Sequence, residues 1–240
     1  MSTATLSVVV PVFNEASEIS GALENIIAYY KDKKYFHELI VVNDGSKDNT
    51  YGLAMDFASK HPGVRALSYE LNSGKGRALR TGIETAEGSH ILFFDIDLAV
   101  PLDMTEKFMD AFNDPAVDIV IGTRKSKEAV VLVHQPWYRE FLGKGFSLLT
   151  NYILGTKVTD VTCGFKCFKS DVAKKLFGKQ KIERWGFDAE VLYLAQLAGC
   201  KVMEIPVIWQ DSADSRVNLA RDIVNSLVEL ITIRMTKYKI

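Results

Sequence analysis

Strand-like apolar runs alternate with helical patterns over the first half of the chain. The runs cover residues 6–13, 39–42, 65–69, 91–94 and 117–122, and segments with helical spacing or helix-opening residues lie between them. This alternation is typical of a parallel sheet covered by helices on both faces. The sequence therefore predicts an α/β fold with a mostly parallel, Rossmann-like central sheet. After Arg124 the alternation lapses, and we expect long helices to dominate.

Composition limits the classes of protein that this chain can represent. The chain has 240 residues, 48% of them hydrophobic and 25% charged, which suits one domain with a large packed core. A formal net charge of −1 argues against a nucleic-acid partner. Three cysteines form neither an even framework nor a zinc-ligand array, so we expect reduced thiols in the cytoplasm. Composition leaves a homo-oligomer open.

The start of the chain and its apolar stretches bear on membrane association. The first residues lack the basic segment and cleavage site of a signal peptide. No apolar stretch approaches the length needed to span a bilayer. We therefore expect any membrane contact to be peripheral.

Two aspartates follow the fourth predicted strand. The apolar run 91–94 leads directly into Asp95-Ile96-Asp97, and alternation along a strand places both carboxylates on one face. Ligands of open α/β sheets bind beyond the carboxyl ends of the strands. Two carboxylates there suit a hard divalent cation whose remaining ligands are phosphate oxygens. A solvated acidic loop is the alternative.

Polar residues also follow the first two predicted strands. Asn14-Glu15 comes after the first strand and Asn43-Asp44 after the second, which suggests one shared crevice. Asp44 has acceptor atoms for the N–H of a uracil or the hydroxyls of a ribose, although helix capping also explains it. The Gly74-Lys75-Gly76 loop has the glycines and helix start of a phosphate cradle without Walker spacing, and an ordinary turn is the alternative.

These motifs together resemble those of the family 2 glycosyltransferases of the GT-A fold. The general markers are residues 10–15, 42–46, 72–76 and Asp95-Ile96-Asp97. Within the family the chain is most similar to the dolichyl-phosphate β-glucosyltransferases and related polyprenyl-phosphate sugar synthases. That narrower similarity rests on residues 160–166, residues 185–190 and Trp209 followed by Ser215-Arg216. It extends over nearly the whole chain from Leu6.

The resemblance implies a role for individual residues. Pro11, Asn14, Glu15, Asp44, Lys75 and Asp95 would bind the sugar nucleotide. Asp95 and Asp97 would hold Mg²⁺ or Mn²⁺ on its diphosphate. Sugar and acceptor would contact Gly164, Lys166, Trp185, Glu190, Ser215 and Arg216. The implied catalytic residues are Asp97, Asp188, Arg124 and Arg139, with the two arginines on the acceptor phosphate.

Simpler explanations exist for several of these side chains. Each arginine is also explained as a surface charge, and Lys166 as a strand lysine that extends to solvent. Asp188 and Glu190 stand at a predicted helix start, where carboxylates favour the helix dipole. We favour a functional Asp188 beside Trp185 and hold Glu190 more loosely.

The chain departs from the family pattern at two places. The eukaryotic glucosyltransferases carry an N-terminal membrane anchor, and this sequence starts without one, which points to a bacterial or archaeal relative. After the aspartates, Ala99 stands where related mannosyl enzymes place a further polar group on the metal side. The choice between Mg²⁺ and Mn²⁺ therefore stays open.

We expect residues 1–240 to form a single GT-A domain with three parts. Residues 1–124 would bind the nucleotide, residues 125–216 the acceptor, and residues 217–240 would form an amphipathic helix. That last segment combines apolar residues at helical spacing with an excess of basic over acidic residues. It suits a lipid surface, and packing on the core or on another subunit is the alternative.

The leading hypothesis is an inverting glycosyltransferase. It would move glucose from UDP-glucose to a polyprenyl phosphate, such as dolichyl or undecaprenyl phosphate, and give a β-linked product. We expect it to work as a peripheral protein on the cytoplasmic face of a membrane. One alternative is a mannosyltransferase that uses GDP-mannose. The other is a non-catalytic sugar-nucleotide-binding protein, which the intact Asp95 and Asp97 pair disfavours.

Overall fold

The computed structural model describes residues 4–133, 136–210 and 219–240, without the side chains of Trp137, Arg139 and residues 219–224. The strands are β1 Leu6–Val12, β2 Phe36–Asp44, β3 Val64–Tyr69, β4 His90–Phe93, β5 Ile119–Thr123, β6 Val130–Val133, β7 Lys166–Lys169, β8 Val202–Pro206 and β9 Ile208–Gln210. The helices are α1 Ile19–Tyr30, α2 Thr50–Lys60, α3 Lys75–Thr85, α4 Met104–Ala111, α5 Trp137–Leu154, α6 Ser170–Phe177, α7 Phe187–Leu197 and α8 Leu219–Met235.

Seven strands form one sheet in the order β3-β2-β1-β4-β7-β5-β8. All neighbours run parallel except β7, which is antiparallel to both β4 and β5. A separate parallel pair joins β6 and β9. The chain moves outward from β1 to β3 and returns to add β4 on the other side of β1, so the loops after β1 and β4 diverge. This reversal of strand order creates the crevice in which open α/β sheets bind ligands.

The sheet is buried on both faces. Val8 and Val10 of β1 belong to a core that includes Ile19, Leu23 and Ile26 of α1. Val9, between them in sequence, points to the opposite core, which contains residues of α3, α6, α7 and α8. Strands covered on both faces consist of near-continuous apolar runs, and this explains why the sequence pattern identified β1, β2, β4 and β5.

The predicted α/β fold with a mostly parallel sheet is confirmed, with two changes in detail. Helical spacing in the sequence extends over residues 15–30, whereas helix α1 begins at Ile19, because the backbone of residues 15–18 forms a turn in which the Ile19 amide donates to Glu15 O. The second half also adds β7 and β8 to the same sheet, whereas we expected mainly helices there. These strands have four and five residues. The three-part division of the chain stays a prediction.

The C-terminal helix α8 occupies residues within the predicted segment 217–240. Leu230 and Ile233 are buried in the core, whereas Val228, Ile231 and Met235 are exposed. The helix thus packs on the domain with one face and presents apolar side chains on another. Among the helices of the described ranges, none is both long and apolar enough to cross a bilayer.

Candidate active site

The Asp95-Ile96-Asp97 turn lies at the crevice beside the end of β1. Strand β4 ends at Phe93, and Phe93 pairs with Val9 of β1. Ile96 is buried, Asp97 is exposed, and the Asp95 side chain is 43% exposed. The Ala99 amide donates to Asp97 Oδ1 at 3.1 Å and so supports the turn. Both predicted metal ligands therefore stand at the mouth of the crevice.

Lys75 and Gly164 are brought to Asp95 by two other elements. Lys75 is the first residue of α3, and its Nζ lies 2.6 Å from Asp95 Oδ1. Gly164 lies so close that a Cβ added there would be 2.4 Å from Asp95 Oδ2. Burial would lower the pKa of Lys75, but the charges of Asp95, Asp188 and Asp97 outweigh it and raise that pKa. Lys75 is thus a charged ammonium in a carboxylate-rich pocket.

A second ion pair lies deeper in the same region. Lys166 Nζ is 2.5 Å from Asp188 Oδ1 and donates to Cys163 O at 2.6 Å. The Lys166 side chain is 1% exposed and that of Asp188 is 9% exposed. Burial raises the pKa of Asp188, and the charges of Lys166 and Lys75 oppose this shift. The ammonium of Lys166 is thus enclosed by protein and bound to Asp188, and its predicted contact with sugar or acceptor stays a prediction.

Asp44 organises the loop that leads into α3. Its carboxylate accepts from Tyr69 Oη at 2.7 Å, from the Ser73 amide at 2.8 Å and from the Gly74 amide at 2.9 Å. Gly74 has a φ of +112°, and a Cβ there would also meet Glu183 O at 2.6 Å. Asp44 is buried, so its oxygens support the loop that places Lys75. Its predicted contact with a nucleoside stays a prediction.

The loops after β1 and β2 are tied to each other. The Asn14 amide donates to Ser46 Oγ at 2.8 Å, and Asn14 Oδ1 accepts from the Lys47 amide at 2.8 Å. The Glu15 amide donates to Thr50 Oγ1 at 2.7 Å. Pro11 lies within β1. The structure therefore gathers the predicted nucleotide-binding residues at adjacent strand ends, and their contact with a nucleotide stays a prediction.

Arg124 is held by a carboxylate that the sequence analysis did not select. Its Nε and Nη2 donate to Asp160 Oδ2 at 2.7 Å and Oδ1 at 2.9 Å, and Lys125 Nζ lies 3.3 Å from Asp160 Oδ1. Burial would raise the pKa of Asp160, but the Arg124 and Lys125 charges hold it well below its usual value. A bidentate pair fixes the plane of the guanidinium. Nη1 is the part of Arg124 that these bonds do not use.

Glu190 lies away from the crevice and supports a neighbouring loop. It is fully buried and accepts from the Lys181 and Ile182 amides and from Tyr238 Oη at 2.5 Å. Residues two apart on a helix point roughly 200° apart, so Asp188 and Glu190 face different sides of α7. In the structure Glu190 supports the loop at residues 181–182, and its predicted contact with sugar or acceptor stays a prediction.

The remaining predicted residues differ in how far the structure describes them. Trp185 stands just before α7 and is 53% exposed. The side chain of Arg139 and the whole of Ser215 and Arg216 lie outside the described residues. The sequence analysis missed Asp160 and Glu183 as organisers of the site. Asp160 opens the quoted 160–166 motif, which was the available signal.

The donor set fits a divalent cation that shares its coordination with a ligand. Within the described ranges, no three His, Cys, Asp or Glu side chains gather into a metal-binding cluster. Asp95 and Asp97 supply two carboxylates at an open edge, and hard cations such as Mg²⁺ are commonly held by one or two carboxylates plus substrate phosphates. Asp95 and Asp97 would thus hold the ion, with Lys75 beside them.

Comparison with known proteins gives the family of the chain. The sequence model of glycosyl transferase family 2 matches residues 7–177 of this chain. The chain belongs to this family. A dolichyl-phosphate β-glucosyltransferase of Trichomonas vaginalis is 35% identical over 94% of this chain and 69% of its own length. The dolichyl-phosphate β-glucosyltransferase of Homo sapiens is 33% identical over 90% of this chain and 70% of its own length.

Solved structures share the fold at lower identity. Glucosyl-3-phosphoglycerate synthase of Mycobacterium tuberculosis in complex with UDP superposes with a TM-score of 0.71 at 18% identity, over 98% of this chain and 82% of that one. A mannosyltransferase of Pyrobaculum calidifontis in complex with GDP-mannose and Mn²⁺ gives 0.64 at 21%, over 98% and 66%. The chain is thus a glycosyltransferase by family, with the fold that we expected.

Proposed function

We propose that this glycosyltransferase moves glucose from UDP-glucose to a polyprenyl phosphate and inverts the anomeric carbon. The observation that carries the proposal is the match to dolichyl-phosphate β-glucosyltransferases over most of the chain, with both carboxylates at the crevice. The M. tuberculosis enzyme has also been solved with Mn²⁺, UDP-glucose and phosphoglyceric acid, which supports glucose as the sugar. Both the sugar donor and a metal requirement belong to this proposal.

The residues at the crevice suit the departure of a nucleoside diphosphate. A divalent ion bound there would stabilise the negative charge that develops on the diphosphate. Asp95 and Asp97 would hold this ion, and Lys75 would place its ammonium beside the same phosphate groups. Lys75 keeps its proton because of the surrounding carboxylates, so it acts as a fixed positive charge.

The acceptor side requires more positioning than deprotonation. A phosphate monoester has a second pKa of about 6 and is therefore largely dianionic at neutral pH. Such a nucleophile needs orientation more than a strong base. Arg124, fixed by Asp160, and Asp188, fixed by Lys166, are groups of defined direction for that purpose. Asp188 would contact a sugar hydroxyl or the attacking phosphate.

The surface near the second half of the chain suits a lipid phosphate. A pocket of about 540 Å³ beside α5 is lined by Lys125, Lys144 and Lys157. Phe141, Leu148 and Tyr152 of α5 are at least 70% exposed, and α5 packs against α8 with its own exposed apolar residues. Apolar side chains next to lysines are typical of proteins that bind membrane surfaces. We therefore include peripheral membrane association, on the cytoplasmic face, in the proposal.

A donor panel tests the proposal. The purified protein is incubated with polyprenyl phosphate in vesicles and with labelled UDP-glucose or GDP-mannose, with and without EDTA. We expect label to enter the organic phase only from UDP-glucose and only with divalent metal. Transfer from GDP-mannose alone would identify a mannosyltransferase. Nucleotide binding without transfer from any donor would identify a non-catalytic protein.

A further inference from the structure

The segment that leads into Asp188 is attached to α3 on one side. This segment covers residues 179–186, between α6 and α7, and Asp188 is the second residue of α7. Glu183 Oε1 accepts from Arg80 Nη2 at 3.0 Å and from Arg77 Nη1 at 3.2 Å. The Arg77 amide also donates to Glu183 O at 3.1 Å. The segment is therefore anchored to the helix that begins with Lys75.

The C-terminal helix α8 holds the other side of the same segment. The Gly186 amide donates to Glu229 Oε2 at 2.8 Å. A Cβ added to Gly186 would lie 2.6 Å from that oxygen and 3.0 Å from Glu229 Cβ, so α8 lies directly against Gly186. Further along, Arg234 Nη1 donates to Tyr193 Oη at 3.3 Å, which joins α8 to α7 again.

These two attachments constrain where the turn before α7 can lie. Contacts with α3 fix the segment at Glu183, and the contact with α8 fixes it three residues later at Gly186. Trp185 lies between these points and Asp188 directly beyond them. Without the Glu229 contact, the turn would be free to shift about its α3 attachment. Trp185 and the backbone of Asp188 would move with it, against the contact by which Lys166 holds the Asp188 carboxylate.

We propose that Glu229 of α8 is a positioning residue that holds the turn from Trp185 to Asp188 in its active geometry. Glu229 acts through the Gly186 amide and does not touch substrate. The C-terminal helix therefore belongs to the active site, in addition to carrying an exposed apolar face. The kinetic tests of this inference rest on the proposed function, whereas hydrogen exchange at the Gly186 amide does not.

Kinetics of three variants test the inference. Misplacement of a reacting group by 1 Å can cost about 100-fold in rate, so we expect Glu229→Ala to lower kcat by roughly 10- to 100-fold. The KM for sugar nucleotide should change by less than about 3-fold, because Glu229 does not touch the substrate. A site that is weakened as a whole would also bind the nucleotide less tightly and raise KM. Glu229→Gln keeps an oxygen acceptor and should retain most of kcat. The control Thr232→Ala, on an exposed residue of the same helix, should match the wild type.

Hydrogen exchange at the Gly186 amide gives a second readout without substrate. This amide should exchange about 10-fold faster or more in Glu229→Ala, because it loses its hydrogen bond to a charged acceptor. If neither Gly186 exchange nor kcat changes in Glu229→Ala, the inference is wrong. If the wild type transfers no sugar, the proposed function fails, and the exchange rates still decide whether Glu229 holds the turn.

A variant at the other end of the contact covers the case in which Glu229→Ala does not fold. Gly186 has a φ of −73°, which alanine adopts without strain. The three nearest atoms to its added Cβ all belong to Glu229, so Gly186→Ala displaces that side chain. We expect the same selective loss of kcat. Wild-type kcat in Gly186→Ala would also overturn the inference.

Discussion

Two lysine–carboxylate pairs in this site have nearly equal lengths and very different surroundings. Lys75–Asp95 spans 2.6 Å with an Asp95 side chain that is 43% exposed, whereas Lys166–Asp188 spans 2.5 Å with both side chains at most 9% exposed. Water reaches the Asp95 carboxylate of the first pair, although Lys75 is only 15% exposed, whereas both partners of the second pair are shielded from water. The first pair is therefore suited to exchange partners when metal and diphosphate arrive. The second fixes one carboxylate in place.

The largest expected effect concerns the proposed metal site at Asp95 and Asp97. Asp97→Asn removes one ligand of the proposed metal, and metal stabilisation of several kcal/mol corresponds to a loss of about 10³-fold in kcat or more. Because Asp97 is exposed, the melting temperature should stay near that of the wild type. Steady-state transfer assays and thermal unfolding measure the two effects.

The matched control for this variant is Asp103→Asn, which removes an exposed carboxylate from the residue before α4. It should change neither kcat nor the melting temperature. Full metal-dependent activity in Asp97→Asn would remove Asp97 from the metal site.

Breaking the buried Lys166–Asp188 pair should lower the free energy of unfolding more than breaking the Lys75–Asp95 pair. Lys166→Met leaves Asp188 buried without its partner, and breaking a buried pair in this way costs about 3–5 kcal/mol of unfolding free energy. Urea denaturation at pH 7 measures the loss. In the double variant Lys166→Met/Asp188→Asn no buried charge is left unpaired, and much of the loss should be recovered. Absence of recovery would mean that Lys166 stabilises the fold independently of Asp188.

For the Lys75–Asp95 pair, which lies closer to solvent, we expect a smaller loss of stability. In Lys75→Met the carboxylate of Asp95 keeps access to water, so the loss of unfolding free energy should be about 1 kcal/mol. The same urea titration as for Lys166→Met allows a direct comparison. Equal losses in the two variants would contradict the distinction between an open and a closed pair.

The Arg124–Asp160 pair predicts how stability depends on pH. Asp160 has a pKa in the folded state below its value in the unfolded chain, so its contribution is complete above pH ~4 and is lost as the pH falls through the folded-state pKa. Asp160→Asn should therefore weaken the fall in stability over the acid range from pH ~4 downward. Urea titrations across that range measure it. If Asp160→Asn leaves the fall in stability at low pH unchanged, other carboxylates control that fall.

The smallest expected effect lies on the apolar face of α8. Replacing Val228 and Ile231 by serine removes exposed apolar area and should weaken binding to anionic vesicles several-fold, because about 25 cal/mol per Å² of buried apolar surface is lost. Cosedimentation with vesicles measures binding, and Thr232→Ala is the control. Unchanged binding would indicate that this face does not contact lipid.

The sequence predicted those parts of the structure that a short continuous stretch of residues identifies. β1, β2, β4 and β5 are continuous apolar runs because both of their faces are buried, and Asp95 and Asp97 directly follow such a run. β7 escaped prediction because its four residues include lysines at both ends, one of them Lys166 in a buried ion pair. No local pattern shows that a lysine will meet a carboxylate 22 residues away.

Long-range partners are the part of the site that the sequence could not predict. The resemblance of the motifs at residues 160–166 and 185–190 assigned Lys166 and Glu190 to sugar or acceptor. In the structure each has protein partners distant in sequence, as Glu190 has in Tyr238. Asp160 and Glu229 were missed for the same reason, since their importance depends on Arg124 and Gly186, which tertiary structure brings to them.

Calorimetric titration of UDP into the wild type and Asp97→Asn, each with and without Mn²⁺, tests the central claim most directly. The claim is that the carboxylates after β4 hold a divalent ion on the diphosphate. The wild type should bind UDP much more tightly with Mn²⁺ than without it, and Asp97→Asn should bind UDP equally in both conditions. A variant that keeps the full gain in affinity from Mn²⁺ would contradict the account.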